Sequence, residues 1–424
     1  MQQLPRREKP IGAMPGVSDP LRSGRIGASI RVGINCLHID PFSVGGVNSY
    51  TLGLLEGFAN VGNGHQFRVY ASQANQHLFE QFRKLDTFAV VVVKDRLLGV
   101  KSRVCQATLL SWSNDLYKLA SDALYSNTRK LIDAETDVMY TPTPVLQWFN
   151  SRKPTVLSMH DIQQVHHPEF FSWPRRLSRK ITYGLSARYA NYLQASSHYI
   201  KEDLVAHFRD LPPEQIEVIP SGVIIERFAS PSASDVRRRY GLPERFLLFP
   251  AQLWPHKNHL TVLKALKQVE TEHGTKIPLV LTGDKFPATP KKIFEFMAEQ
   301  AMGYVQYVGK VPSEDMIALY QNAAFMITAT LHESSSLPIL EAAAAGTPII
   351  ASKIPPIEEL AQVLQLNLFD PLDVDGLARL ILDLWNDEKA ASAQAAVNRR
   401  QINCFSWDNS ARKYLQFFEK ILDS

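Results

Sequence analysis

Short β-branched runs alternate with helical stretches along almost the whole chain, and the alternation stops once and then restarts. Candidate strands lie at 29–36 (SIRVGINC), 67–71, 88–93 (FAVVVV), 137–141, 155–159, 191–197 and 216–219. After a break they resume at 245–252, 277–283, 304–309, 324–330, 347–352 and 366–369. Strands that alternate with helices imply parallel, doubly wound sheets. Thirteen strands exceed one comfortable open sheet, so the expected fold is α/β with two Rossmann-like domains. A length of 424 residues is also too great for a single core.

The break falls in SGVIIERFASPSASDVRRRYGLP, a polar stretch interrupted by Gly and Pro with one short charged helix signal. The expected division is therefore a flexible tail at 1–28, a first domain at 29–220, a linker at 221–243, a second domain at 244–404 and a terminal amphipathic helix at 405–424. Asp408 or Asn409 is the expected cap of that helix. The tail is rich in Gly, Pro, Arg and Ser and lacks the apolar core of a signal peptide.

Composition bounds the function. No run approaches the 18 apolar residues of a membrane-spanning helix. Three scattered cysteines, Cys36, Cys105 and Cys404, offer neither a disulfide framework nor a CxxC pair. A reducing, cytoplasmic setting is expected. The net charge of +4 permits an anionic partner but does not demand nucleic acid, and none is expected.

Four short stretches have the residue types and placement for ligand chemistry. In HIDPFSVGGVNSY, Gly45 and Gly46 follow the first strand and open a helix. Such a turn brings backbone close to a phosphate or sugar, and a plain tight turn reads equally well. In LSMHDIQQVHHPEFF, His160 and Asp161 stand just past a strand's C-terminal end, where open α/β sheets bind ligands. His160 is either a hydrogen-bonding residue for substrate or a buried histidine held by Asp161. His166 and His167 follow, but the spacing matches no zinc pattern, and no metal is expected. In PAQLWPHKNHL, Lys257 and Asn258 begin a helix after a strand; Lys257 is suited to a diphosphate, or is a solvated surface lysine.

The fourth stretch is LHESSSLPILEAAAAGTP. Pro338 and Gly346 bound a helix at about 338–345. Glu333 lies in the preceding loop and Glu341 about one turn inside the helix, so both carboxylates can face a ligand at the sheet edge. A carboxylate accepts two hydrogen bonds from a vicinal diol. Backbone N–H groups from Ser335 through Ser336 to Leu337 are placed for phosphate. The competing reading has both glutamates complementing the helix dipole. A DxD at Asp373 and Asp375 precedes a helix and reads as a cap rather than a metal site. Finally, WPRRLSRKITYGLSARY at 173–189 aligns Leu177, Ile181, Leu185 and Tyr189 among five basic residues and no acids. It suits anionic lipid or simple packing on its own domain.

Taken in order, these motifs resemble the retaining glycosyltransferases of the GT-B fold, glycosyltransferase family four (group 1 type). The resemblance covers most of 30–422 and is strongest over 246–352. It implies two domains facing a cleft, the second holding a nucleotide-diphosphate sugar (GDP- or UDP-linked) as donor substrate, with no cofactor. The first domain would hold a glycan, lipid-linked or small-molecule hydroxyl acceptor, and the terminal helix would cross back to it. By this resemblance Glu333 meets the donor hexose, of mannose or glucose type, and Glu341 the ribose. Lys257 neutralises the diphosphate, Gly46 approaches it from the other domain and His160 hydrogen-bonds the donor sugar. The backbone from Gly309 to Val311 meets the base. Two departures stand out: Gln252 replaces an arginine common in relatives, and Ser334, Ser335 and Ser336 replace a Gly-Phe-Gly type loop. Rival readings are a nucleotide-sugar epimerase or phosphorylase on this fold, and a catalytically silent sugar-nucleotide-binding protein.

Overall fold

A computed structural model describes residues 29–41, 46–93, 114–285 and 290–424. Two parallel sheets account for all thirteen expected strands. The first comprises β1 (Arg31–Asn35), β2 (Gln66–Ser72), β3 (Phe88–Val93), β4 (Val138–Thr141), β5 (Thr155–Ser158), β6 (Tyr192–Ala195) and β7 (Ile216–Val218). Their spatial order is β3-β2-β1-β4-β5-β6-β7. The second comprises β8 (Leu247–Pro250), β9 (Leu279–Thr282), β10 (Val305–Gly309), β11 (Phe325–Thr328), β12 (Ile349–Ser352) and β13 (Asn367–Phe369), ordered β10-β9-β8-β11-β12-β13. Central strands such as β5, β11 and β12 are buried along their whole length, because helices cover both faces of each sheet.

The strand orders decide where ligands can sit. In each sheet the winding reverses once, between β1 and β4 and again between β8 and β11. At such a reversal the two flanking loops leave in opposite directions and open a crevice beyond the strands' C-terminal ends. The loops carrying Lys257 and Glu333 flank the second crevice, and the residues directly after β1 and β4 flank the first.

The terminal helix, Trp407–Asp423, does not stay with the second sheet. Trp407, Tyr414, Phe417 and Phe418 are buried in the same core as Ile34, Leu54 and Phe58 of the first domain. Gly53 makes this packing close: a β-carbon there would lie 2.1 Å from the Trp407 indole nitrogen. The Tyr414 hydroxyl lies 2.6 Å from that of Tyr50 and 3.0 Å from that of Tyr140, forming a buried phenol cluster with Ser158.

Several local expectations are corrected. Ser406 caps the terminal helix, accepting from the Asn409 N–H, and neither Asp408 nor Asn409 does so. The stretch 221–243 holds two short helices, Ile225–Ala229 and Val236–Tyr240, and Val223 forms a bridge with Ser406. His160 is held by the Pro142 carbonyl, while Asp161 accepts from the Gln163 N–H. The DxD behaves as expected: Asp373 accepts from the Gly376 N–H, 2.8 Å away. The tail at 1–28, Gly45 and Cys105 lie outside the described residues. Among the described residues no helix is long and apolar enough to cross a membrane.

Candidate active site

The second crevice is built by two loops tied to each other. After β8 the chain makes a short 3-10 turn, Pro255–Lys257, and reverses at Asn258, whose φ is 57°. The His256 carbonyl accepts the Leu331 N–H at 2.7 Å, which staples this turn to the loop after β11. The staple brings the Lys257 ammonium into direct hydrogen-bonded contact with the Glu333 carboxylate. Both side chains are mostly shielded from solvent, so the pair is stronger than a surface ion pair.

Neighbouring polar groups are committed to shaping these loops. The Asn258 amide donates to the Pro371 carbonyl at 2.7 Å and its oxygen accepts from Thr261. The Gln252 side-chain oxygen accepts the Trp254 indole N–H. Where an arginine would have added positive charge, Gln252 instead orients an aromatic ring.

The serine loop leads into the helix Leu337–Ala345, which ends at Gly346 with φ 75°. The Ser336 hydroxyl is buried and has no hydrogen-bond partner among the described residues, and the Leu337 N–H is taken by the Ser335 carbonyl. Glu341 rises one turn in and accepts from the Tyr320 hydroxyl at 2.8 Å. Burial pushes its carboxyl above the usual range, opposed by Tyr320 and by the charge of Arg227. Val311 lies past β10 and packs partly against the second domain's core. It follows Gly309, whose φ of 75° turns the chain at the strand end and whose carbonyl accepts the Gly283 N–H.

The opposite wall belongs to the first sheet. His160 follows β5, and its Nε2–H donates to Pro142 at 3.2 Å, leaving Nδ1 as the ring's acceptor. Burial lowers its pKa, so the ring is neutral near pH 7. Tyr50 meets it edge-on at 4.8 Å between ring centres. Gly46 begins the helix Gly46–Val61, and a β-carbon there would meet none of the described residues within 4 Å.

Contacts join the two walls. The Ser196 hydroxyl, just past β6, donates to the Ser334 carbonyl at 2.9 Å. Leu337 packs against both cores. Two further groups went unrecognised in the sequence. Glu359, on the helix Pro355–Leu360, accepts the His198 and Tyr199 N–H groups and so caps the first domain's helix His198–His207 from across the cleft. His332 lies 5.7 Å, centre to centre, from both His166 and His167 of the other domain. The double histidine was visible in the sequence, but its partner lies more than 160 residues away and carried no signal. Among the described residues no three His, Cys, Asp or Glu side chains converge as a metal site.

Two Rossmann-like domains whose crevices face each other, with a lysine–glutamate pair at the second switch point, define a protein of the GT-B class. A sequence profile described as glycosyl transferases group 1 matches residues 235–401, and one described as glycosyltransferase family 4 matches 44–227. The chain belongs to glycosyltransferase family 4, the group 1 glycosyltransferases. It is 26% identical over 271 residues to O-antigen chain mannosyltransferase B of Escherichia coli, covering 62% of this chain and 70% of that one. It is also 26% identical over 226 residues to serotype-specific mannosyltransferase WbdA of E. coli, which spans 52% of this chain but 28% of WbdA. A crystal structure of Anabaena Alr3699/HepE in complex with UDP and glucose superposes with a TM-score of 0.70 at 18% identity. That match covers 92% of this chain and all of the other, and it bears on the fold.

Proposed function

We propose that this protein transfers a hexose from a nucleotide-diphosphate sugar to a hydroxyl acceptor, with retention of anomeric configuration and without a metal. The observation that carries the reading is the shielded Lys257–Glu333 pair at the second switch point, facing the wall that holds His160. In this reading the diphosphate of the donor draws the Lys257 ammonium, and the N-terminus of the helix Leu337–Ala345 adds its dipole as negative charge develops on the leaving group. Glu333, released from the lysine, accepts hydrogen bonds from the hexose, and Glu341 accepts from the ribose diol. His160 orients the sugar from the other side.

No side chain is assigned as a covalent nucleophile. Attack from the donor's leaving-group face, with the departing phosphate taking the acceptor proton, accounts for retention. Mannosyl transfer is supported by the names of the two E. coli relatives, and a uridine nucleotide by the ligand of the HepE structure. The protein works in the cytoplasm in this reading, with a glycan or lipid-linked acceptor.

The test is a panel of nucleotide sugars screened for thermal stabilisation, followed by transfer assays on Lys257→Ala, Glu333→Ala and His160→Ala. Unimpaired turnover in all three sinks the assignment. Nucleoside diphosphate release that needs no acceptor favours an epimerase-like or hydrolytic activity instead.

A further inference from the structure

The helix Trp173–Tyr189 borders a cavity of about 430 Å³ that the donor reading leaves unused. Its volume falls in the range of ~300–1,000 Å³ common for small-molecule sites. Arg176, Arg179 and Lys180 line it together with Trp173, Leu177 and Phe208, and no aspartate or glutamate does. Of the stripe read from the sequence, Ile181, Leu185 and Tyr189 pack within the first domain, whereas Leu177 faces this cavity.

The charge here is only partly offset, by the Glu169 carboxylate, which feels Arg176 without touching it. Among the described residues none of the three cations is in ion-pair contact with a carboxylate. Arg176 and Lys180 stand four residues apart on one helix face, where like charges repel. Arg179 is held in place: it donates to the Gln164 side-chain oxygen at 3.1 Å and lies over the rings of Phe171 and Tyr183, at 4.6 and 5.5 Å. A fixed guanidinium flanked by two exposed cations is suited to a phosphate, which takes two parallel N–H bonds from arginine and further charge from its neighbours. Beside them Trp173 is 70% exposed, an open surface for a sugar ring or an alkyl chain.

The cavity adjoins the cleft. Gln164 and Val165, on its wall, follow His160 by four and five residues. The first turn of the helix reaches the other domain, where the Arg175 guanidinium lies 5.9 Å from the Trp254 ring centre. We propose that this cavity is the acceptor subsite and that the acceptor carries a phosphate group, gripped by Arg176, Arg179 and Lys180 with its ring or chain against Trp173 and Leu177. The proposal rests on the glycosyl-transfer reading for the word acceptor, but the phosphate site can be measured without it.

Calorimetry with octyl phosphate, octanoate and octyl glucoside tests it. Octyl phosphate should bind the wild-type protein at least about tenfold more tightly than either of the others. Arg176→Gln with Lys180→Gln should remove that advantage, and Arg179→Lys, which keeps charge but loses the fork, should remove part of it. Arg412→Gln with Lys413→Gln, on the exposed face of the terminal helix, should leave it intact. Equal affinity for the three probes, or an equal loss in the Arg412/Lys413 variant, overturns the proposal. So does loss of phosphatidylglycerol-vesicle binding in the Arg176/Lys180 variant with octyl phosphate affinity unchanged, which makes the helix a membrane contact. Glycerol phosphate competing as well as octyl phosphate supports a soluble phosphorylated acceptor; competition by octyl phosphate alone supports a lipid-linked one. If no nucleotide sugar stabilises the protein while octyl phosphate still binds here, the donor reading fails and the phosphate site stands.

Discussion

The Lys257 ammonium donates to the Glu333 carboxylate, so each of the two charged groups at the second switch point neutralises the other. Removing one partner strands the other in a shielded site. Lys257→Ala should therefore destabilise the fold by about 1–3 kcal/mol, and Lys257→Ala with Glu333→Ala by less than the lysine variant alone. Urea denaturation of the two proteins checks this. Both should lose at least about a hundredfold in sugar transfer, since loss of one preorganised donor to developing charge typically costs that much.

Gly46 and Gly53 lie on the same helix but answer to different neighbours. A β-carbon at Gly46 meets none of the described residues, whereas at Gly53 it collides with the Trp407 ring. Gly46→Ala should fold with an unchanged or slightly higher melting temperature, by the equivalent of about 0.5 kcal/mol, while nucleotide-sugar affinity falls. Gly53→Ala should cost about 1–3 kcal/mol or more through overpacking. Melting curves with and without donor separate the two cases.

Glu341 has a pKa raised by burial, and Tyr320 is one of the groups that holds it down. If its ionised form grips the ribose, donor affinity rises with pH through the folded-state pKa, which lies above 4.5. Tyr320→Phe should move that rise to higher pH. The stability sign runs the other way. The unfolded chain ionises first, so this group's contribution to stability falls as pH climbs from the unfolded value to the folded one. Binding titrations from pH 4.5 to 8 on both proteins check the shift.

Glu359 caps a helix of the opposite domain. Glu359→Ala removes two charge-assisted hydrogen bonds from the interdomain contact, and Glu359→Gln keeps an acceptor oxygen. The alanine variant should raise the donor KM severalfold with a smaller effect on kcat, and small-angle scattering should report a wider distribution of shapes. The glutamine variant should fall between it and the wild type.

The fold was legible because its central strands are buried on both faces and read as plain apolar runs such as IIAS of β12. Lys257 and Glu333 stood out in the sequence because each follows a strand end, which is a local property. Their contact depends on the backbone staple from Leu331 to His256, which no local pattern encodes. The cap of the terminal helix was misjudged because Ser406, Asp408 and Asn409 crowd within four residues and all can cap; the bridge from Val223 to Ser406 decides among them. Glu359 and the His332 cluster act across the cleft. A one-dimensional pattern holds no record of which surfaces of two domains meet.

The terminal helix has a consequence for synthesis. Tyr414 and Phe418 complete a core whose other walls, from Ile34 to Ile219, leave the ribosome nearly 200 residues earlier. At ~5–20 residues per second the first domain waits on the order of 10–40 s with an unfilled apolar groove. During that interval the helix Gly46–Val61 presents the notch at Gly53 to whatever apolar segment arrives first. Chaperone demand should therefore be set by this vacancy, and supplying a peptide of residues 407–423 in trans to a nascent first domain should lower it.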